Sequence, residues 1–242
     1  MDAVIEEIRR ELNEKADPAI RESSKRFFKE EPKCYGMKTA DVVRIAKKHW
    51  KEIKEKDKPE IYELCEELYR SGYMEESFIV SEWAKYMSER FEKDDIYVFK
   101  RWIDSYITNW ASCDGFCNHA VGDFIKKYPE YIEELKNWTQ SDNRWMRRAA
   151  AVSLIIPAKK GEFLKESIEI ANLLFSDSED MVQKGYGWLL KEQSRVHMQE
   201  IFEYIMKNKK NMPRTSLRYA IELMPKDMRA EAMKKDWSKK FI

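Results

Sequence analysis

The sequence predicts an all-α fold, a superhelical solenoid of stacked antiparallel helical hairpins with a concave basic face. Three observations carry that prediction. Among 242 residues there are only seven Gly and seven Pro, with 37% charged residues; a many-stranded chain needs more turn residues than that. Apolar residues recur at i, i+3, i+4 and i+7 along most of the chain. The amphipathic helices come in pairs, roughly every 35 to 40 residues, joined by short links.

The elements follow in order. Val4, Ile5, Ile8 and Leu12 set a helix over residues 2–15. Asp17-Pro18 starts a second, with Pro at its first position; it carries Phe27 and Phe28 and stops before Pro32. Cys34-Tyr35-Gly36-Met37 reads as a turn, and Thr39 as the cap of a helix with Val42, Val43, Ile45 and Ala46 inward. Ile61, Leu64, Cys65, Leu68 and Tyr69 form a stripe that ends at Ser71-Gly72. Val80, Trp83, Ala84 and Met87 mark its partner, and Ile96, Phe99, Trp102, Ile103 and Tyr106 the next helix. A helix over 113–126, capped by Ser112, places Cys117, Val121, Phe124 and Ile125 inward. Pro129 opens a helix with Ile132, Leu135 and Trp138 inward, and Trp145, Ala149, Val152 and Ile156 stripe its partner. Helices over 162–175, 179–194, 197–209 and 213–224, and a last one from about Lys226, complete the chain.

The paired unit has the size of a HEAT-type repeat, although no strong repeat motif recurs. One unit cannot bury its stripe alone, so neighbours stack into a continuous core. Residues 1–242 are expected to form one such domain. A compact irregular helical domain is the alternative; no helix is long enough for a four-helix bundle of this mass.

Lys+Arg (45) and Asp+Glu (44) nearly cancel, so a nucleic-acid partner requires charges sorted onto faces. The four cysteines (Cys34, Cys65, Cys113 and Cys117) are too scattered for a disulfide scaffold and read as free thiols. The first thirty residues carry no apolar signal core, and no window approaches a membrane span. A cytoplasmic, monomeric protein without membrane contact is expected. Cys113, Cys117 and His119 do not have the spacing of a known zinc motif, and Cys117 lies on the apolar stripe. No metal and no cofactor is expected. Three histidines form no hydrolase triad, and no glycine pair is placed for a phosphate loop.

Two stretches remain. Trp110 and Asp114 stand four residues apart, and Arg144, Arg147 and Arg148 cluster on one helix. On a helical wheel Arg147 points away from the core, Arg144 sits on the flank, and Arg148 lies at the edge of the buried stripe, where it is held and aimed. Equally, Arg148 pairs with a nearby acid to close a repeat junction. Asp114 reads either as a functional carboxylate or as a first-turn acid favoured by the helix dipole, and Trp110 either as a site residue or as a core aromatic. Downstream, Val182, Gly185, Trp188 and Leu189 form one inward stripe flanked by Lys184 and Lys191, and Pro213 opens a helix carrying Arg214 and Arg218. Arg144, Arg148, Lys184, Arg214 and Arg218 recur on the second helices of successive hairpins. A basic stripe with Trp interleaved suits a nucleic-acid backbone.

At these residues the chain resembles the AlkD-like DNA alkylation-repair family, HEAT-repeat proteins that include alkylpurine DNA glycosylases. The likeness is clearest in Asn-Trp-Ala-Ser-Cys-Asp (109–114), Asn-Arg-Trp-Met-Arg-Arg-Ala (143–149), Gln-Lys-Gly-Tyr-Gly-Trp-Leu-Leu-Lys-Glu (183–192), Arg-Thr-Ser-Leu-Arg-Tyr-Ala-Ile-Glu (214–222) and the Tyr-Gly-Met-Lys-Thr turn (35–39). The resemblance implies double-stranded DNA with alkylated bases as substrate and Asp114 as the catalytic carboxylate. It implies Trp110 and Trp188 beside the lesion, and Arg148 as the active-site arginine with Arg147 as an off-by-one alternative. A base alkylated at N3 or N7 is already cationic; a carboxylate then stabilises positive charge growing on the sugar, and indole faces attract the same cation. Two other readings stand beside this one: a non-catalytic binder of distorted or branched DNA, and a protein-interaction solenoid.

Overall fold

The structure, a computed structural model, describes residues 2–235. These are helical with no strand among the described residues, and they divide into two compact units, Met1–Phe124 and Ile125–Ile242.

The first unit contains α1 (Ala3–Glu14), α2 (Pro18–Lys25), α3 (Thr39–Ile53), α4 (Lys58–Arg70), α5 (Met74–Tyr86), α6 (Asp95–Tyr106) and α7 (Trp110–Phe116). A π-helical turn, Cys117–Val121, leads into α8 (Gly122–Lys127). Helix α5 packs chiefly against α3 and α7, so these three form one layer; α4 lies against α5 and α6, and α1 against α3 and α4. Between the layers the stripes meet in a dense aromatic core. Trp83, Trp102, Phe91, Phe99, Phe116 and Phe124 are fully buried. Phe99 and Phe116 meet edge-on at 5.5 Å, a favoured ring geometry, and the Trp83 indole donates to the Ala46 carbonyl at 3.0 Å.

The 33–37 turn is tied to α5 by a buried acid. The Glu75 carboxylate accepts from the backbone N–H groups of Tyr35 (3.0 Å), Gly36 (2.8 Å) and Met37 (3.2 Å). Gly36 has φ +92°, and a Cβ there would lie 2.5 Å from the Asp17 carbonyl; only glycine fits.

The second unit contains α9 (Ile132–Trp138), α10 (Arg144–Val152), α11 (Ile155–Ala158), α12 (Leu164–Leu173), α13 (Asp180–Gln193), α14 (Met198–Asn208), α15 (Arg214–Ala220) and α16 (Lys226–Met233). Helix α13 is its centre, packed against α10, α15 and α12, with α9 lying against α10 and α12. Gly187 permits the α13–α15 approach: a Cβ there would stand 2.8 Å from the Ser216 carbonyl oxygen and from the Tyr219 Cβ.

Several expected boundaries move. Helix α2 stops at Lys25, short of Phe27 and Phe28. The Ser23 and Ser24 hydroxyls bond back to the carbonyls of Ile20 and Arg21, an alternative that loosens a helix end. Lys38, not Thr39, occupies the cap position of α3, without a side-chain cap bond. Helix α10 ends at Val152, so Ile156 leaves its stripe and is half-buried; Pro157 cannot follow Ser153 in one continuous helix, because its ring meets the carbonyl four residues back. All four cysteines are buried free thiols. Among the described residues no helix is long and apolar enough to cross a membrane.

Candidate functional site

Trp110 and Asp114 sit one turn apart on the same face of α7. The opposite face, with Ser112, Cys113 and Phe116, is buried; Trp110, Ala111, Asp114 and Gly115 are half-exposed. The helix starts three residues earlier than the expected segment. Its cap is Asn109, whose side chain accepts from the Ser112 N–H at 2.9 Å, and not Ser112. The Ser112 hydroxyl is engaged with Ser77 of α5 at 2.7 Å. Asp114 is therefore the fifth residue of α7, beyond the first turn where the helix dipole explains an acid.

Trp110 is not a core aromatic. Its ring stacks on Phe28 (centroids 5.4 Å apart, planes at 21°), and its indole N–H donates to the Phe27 carbonyl at 3.2 Å. The α2–α3 connector thus holds the ring in place. Sequence reasoning missed this support; the one signal was the Phe27-Phe28 pair, read as helical.

On α10, Asn143 caps the start by accepting from the Trp145 N–H at 2.9 Å. The three arginines then diverge. Arg148 is 5% exposed; it donates to the Met181 carbonyl in the first turn of α13, and its Cγ packs 3.4 Å from where a Gly185 Cβ would be. Arg147 does not point into solvent as the wheel suggests. It pairs with Asp177 at 2.6 Å and donates to the carbonyls of Ser141 (2.8 Å) and Asp142 (2.9 Å), closing the 141–142 turn. Arg144 lies over the Trp145 ring at 4.8 Å and 3.6 Å from Glu179.

Val182, Gly185 and Leu189 are buried on α13, while Trp188 is half-exposed at the edge of that stripe. Its indole N–H donates to Glu192 at 2.9 Å, which also holds Arg195. Burial raises the Glu192 carboxyl pKa, but the bonds from Arg195 and Trp188 outweigh it, and the net direction is down. Lys184 pairs with Asp180 at 2.7 Å. Arg214 reaches the Met233 sulfur at 3.4 Å, and its buried Nη1 has no hydrogen-bond partner. Arg218 is exposed and lines an open cavity of about 390 Å³ with Lys226 and Arg229. Within the second unit, Arg144, Arg147, Arg148, Lys184, Trp188, Arg214 and Arg218 stand on α10, α13 and α15, with α13 packed against each of the other two.

Residues 8–224 match the model of the DNA alkylation repair enzyme family, and the chain belongs to that family. Its fold is similar to that of a predicted DNA alkylation repair enzyme from Enterococcus faecalis: TM-score 0.78 at 17% identity, over 88% of this chain and 98% of that one. It is also similar to the Pseudomonas fluorescens alkylpurine DNA glycosylase AlkC bound to DNA containing an abasic site analog. There the TM-score is 0.50 at 15% identity, over 90% of this chain and 61% of that one. No curated protein matches in sequence.

Proposed function

We propose that this chain is an AlkD-like DNA glycosylase of HEAT-repeat type, which hydrolyses the N-glycosidic bond of cationic 3- or 7-alkylpurines in double-stranded DNA. The observation that carries the reading is the Trp110–Asp114 pair, one turn apart on the half-exposed face of α7. Family membership and the likeness to a glycosylase fold support it.

The chemistry needs no general acid. The alkylated base leaves as a neutral purine, taking the electron pair of the C1′–N bond, and positive charge develops on the deoxyribose. The Asp114 carboxylate stabilises that charge and orients the water that adds to C1′. The proton of that water passes through the carboxylate to solvent, leaving an abasic site. The Trp110 face attracts the same cation, and Phe28 fixes the ring for it. On α13, Trp188 offers an indole to DNA. Arg144, Lys184, Arg214 and Arg218 supply phosphate contacts. Arg148, which the resemblance gives as the active-site arginine, is too buried to reach a phosphate directly; it acts by holding the start of the helix that carries Lys184 and Trp188. Arg147 is committed to its turn and takes no part.

Asp114→Asn tests the reading. The variant is expected to keep its fold and bind DNA while release of 3- and 7-methylpurine from methylated DNA falls at least about a hundredfold, the scale of losing one key electrostatic group. Release at the normal rate overturns the assignment. DNA binding by the wild-type chain without any base release favours the non-catalytic binder.

A further inference from the structure

A second constellation lies away from α7, where α1 packs on α3. His49 of α3 has a fully buried side chain. Its Nε2 lies 2.8 Å from the Glu11 carboxylate of α1. A carboxylate only accepts, so Nε2 carries the hydrogen, and in the neutral ring Nδ1 keeps a lone pair. Nδ1 is buried with no hydrogen-bond partner, yet it stands 3.2 Å from Glu52 Oε1, one turn further along α3. Two lone-pair atoms this close repel unless a proton or a metal cation lies between them. A carboxylate of Glu7, on α1, completes the set: the ligand atoms of Glu7, His49 and Glu52 all lie within 4.8 Å of one another.

We propose that Glu7, His49 and Glu52 form a divalent-cation site of the Zn²⁺ class that clamps α1 to α3. Tetrahedral ligands at Zn–N and Zn–O distances of about 2.0–2.2 Å stand roughly 3.4 Å apart, close to the Nδ1–Glu52 separation. The donor set, one imidazole and two carboxylates, suits a borderline first-row cation better than Ca²⁺ or Mg²⁺. Glu11 supplies the outer partner that ligating histidines require, a carboxylate on the far ring nitrogen. Lys48, 2.6 Å from Glu11, holds that carboxylate in turn. The side chains of Glu7 and Glu52 are 38% and 41% exposed, so water can enter and complete the coordination. The contacts of Glu7 to Lys48 and Arg10 are both 3.4 Å, loose enough to yield to a dication. The spacing His-x2-Glu on one helix with Glu from another is too sparse to be noticed before α1 and α3 are seen together.

The test is titration of the metal-free full chain with Co²⁺, read by visible absorption, and competition by Zn²⁺. One Co²⁺ per chain is expected, displaced by Zn²⁺, with the thermal midpoint rising as Zn²⁺ is added. The ¹⁵N resonance of His49 Nδ1 should shift on binding. Glu7→Gln/Glu52→Gln changes only half-exposed carboxylates, so it is expected to fold and to bind at least tenfold more weakly. Glu11→Gln should weaken binding about 10–100-fold through the outer shell. Absence of saturable binding up to about 1 mM Zn²⁺ overturns the site. So does equal affinity in E7Q/E52Q, or a His49 resonance that does not move. Those last results assign His49 as an imidazolium between two carboxylates.

Discussion

At the scale of single residues, the placement of Trp110 depends on one side-chain amide. Asn109 and Ser112 are both good cap residues, and the sequence alone favours neither. What decides is Ser77 on α5, thirty-five residues away in sequence, which engages the Ser112 hydroxyl and leaves Asn109 to cap. The same kind of partner decides Arg147: periodicity gives its direction from the helix axis, but not Asp177, which turns it back to the protein. Positions set by apolar period were legible; positions set by a polar partner from another element were not. Asn109→Ala should lower stability by about 1 kcal/mol, the usual worth of an N-cap. In a helix as short as α7 that loss frays the first turn, where Trp110 stands. Base release is therefore expected to fall several-fold more than a 1 kcal/mol loss of stability implies at working temperature, and Asn109→Asp, which caps equally well, should restore both. Denaturant midpoints and excision rates of the two variants check this; unchanged excision in a destabilised N109A would separate the cap from the site.

At the scale of elements, the apolar stripes located nearly every helix, and the errors lie at ends and irregularities. The expected helix over 113–126 falls on α7, a π-turn and α8 in succession; its inward residues remained visible because a π-turn does not interrupt the run of buried side chains. Only Gly185 stands on the expected inward stripe, with Val182, Trp188 and Leu189, yet Gly187 matters as well, and the two glycines do different things. Ala in place of Gly inside a helix gains about 1 kcal/mol. At position 185 the added methyl meets Arg148 Cγ at 3.4 Å and Val152 Cγ1 at 3.6 Å, ordinary contacts, so the gain prevails and Gly185→Ala should be neutral or slightly stabilising. At position 187 it meets the backbone of α15 at 2.8 Å, which cannot yield as a side-chain end can. Overpacking there costs about 1–3 kcal/mol and outweighs the gain, so Gly187→Ala should be destabilising. Chemical denaturation of the two single variants measures the contrast; equal stabilities would mean that α13 and α15 are further apart than described.

At the scale of the molecule, a net charge of +1 conceals extensive pairing, and pairing makes stability depend on pH from both sides. Glu66 takes hydrogen bonds from Arg101 (2.6 Å) and the Trp102 indole (3.0 Å); the Arg101 bond is the larger cause that holds its carboxyl below the ordinary range. A carboxyl depressed in the folded state contributes stability above its unfolded pKa, about 4.3. That contribution is lost as pH falls through the lower folded value. Tyrosines act in the opposite sense. Burial pushes Tyr186 and Tyr204 up to about 12, so the unfolded chain ionises first, near 10, and stability is lost as pH climbs from there towards 12. Buried Cys65, raised by desolvation, starts the alkaline decline earlier, above about 8.5. The thermal midpoint should therefore be flat between about pH 5 and 8 and fall on both sides. Tyr204 donates to Asn172 at 2.8 Å, so Tyr204→Phe should cost about 1 kcal/mol at neutral pH, roughly 2–4 °C for a chain of this length. It should also flatten the fall above pH 10, because the removed hydroxyl no longer ionises in the unfolded chain. Glu66→Gln should shallow the acid limb alone. If both variants left both limbs unchanged, the pH dependence would belong to other groups, and the half-buried positions of Glu66 and Tyr204 would have to be redrawn.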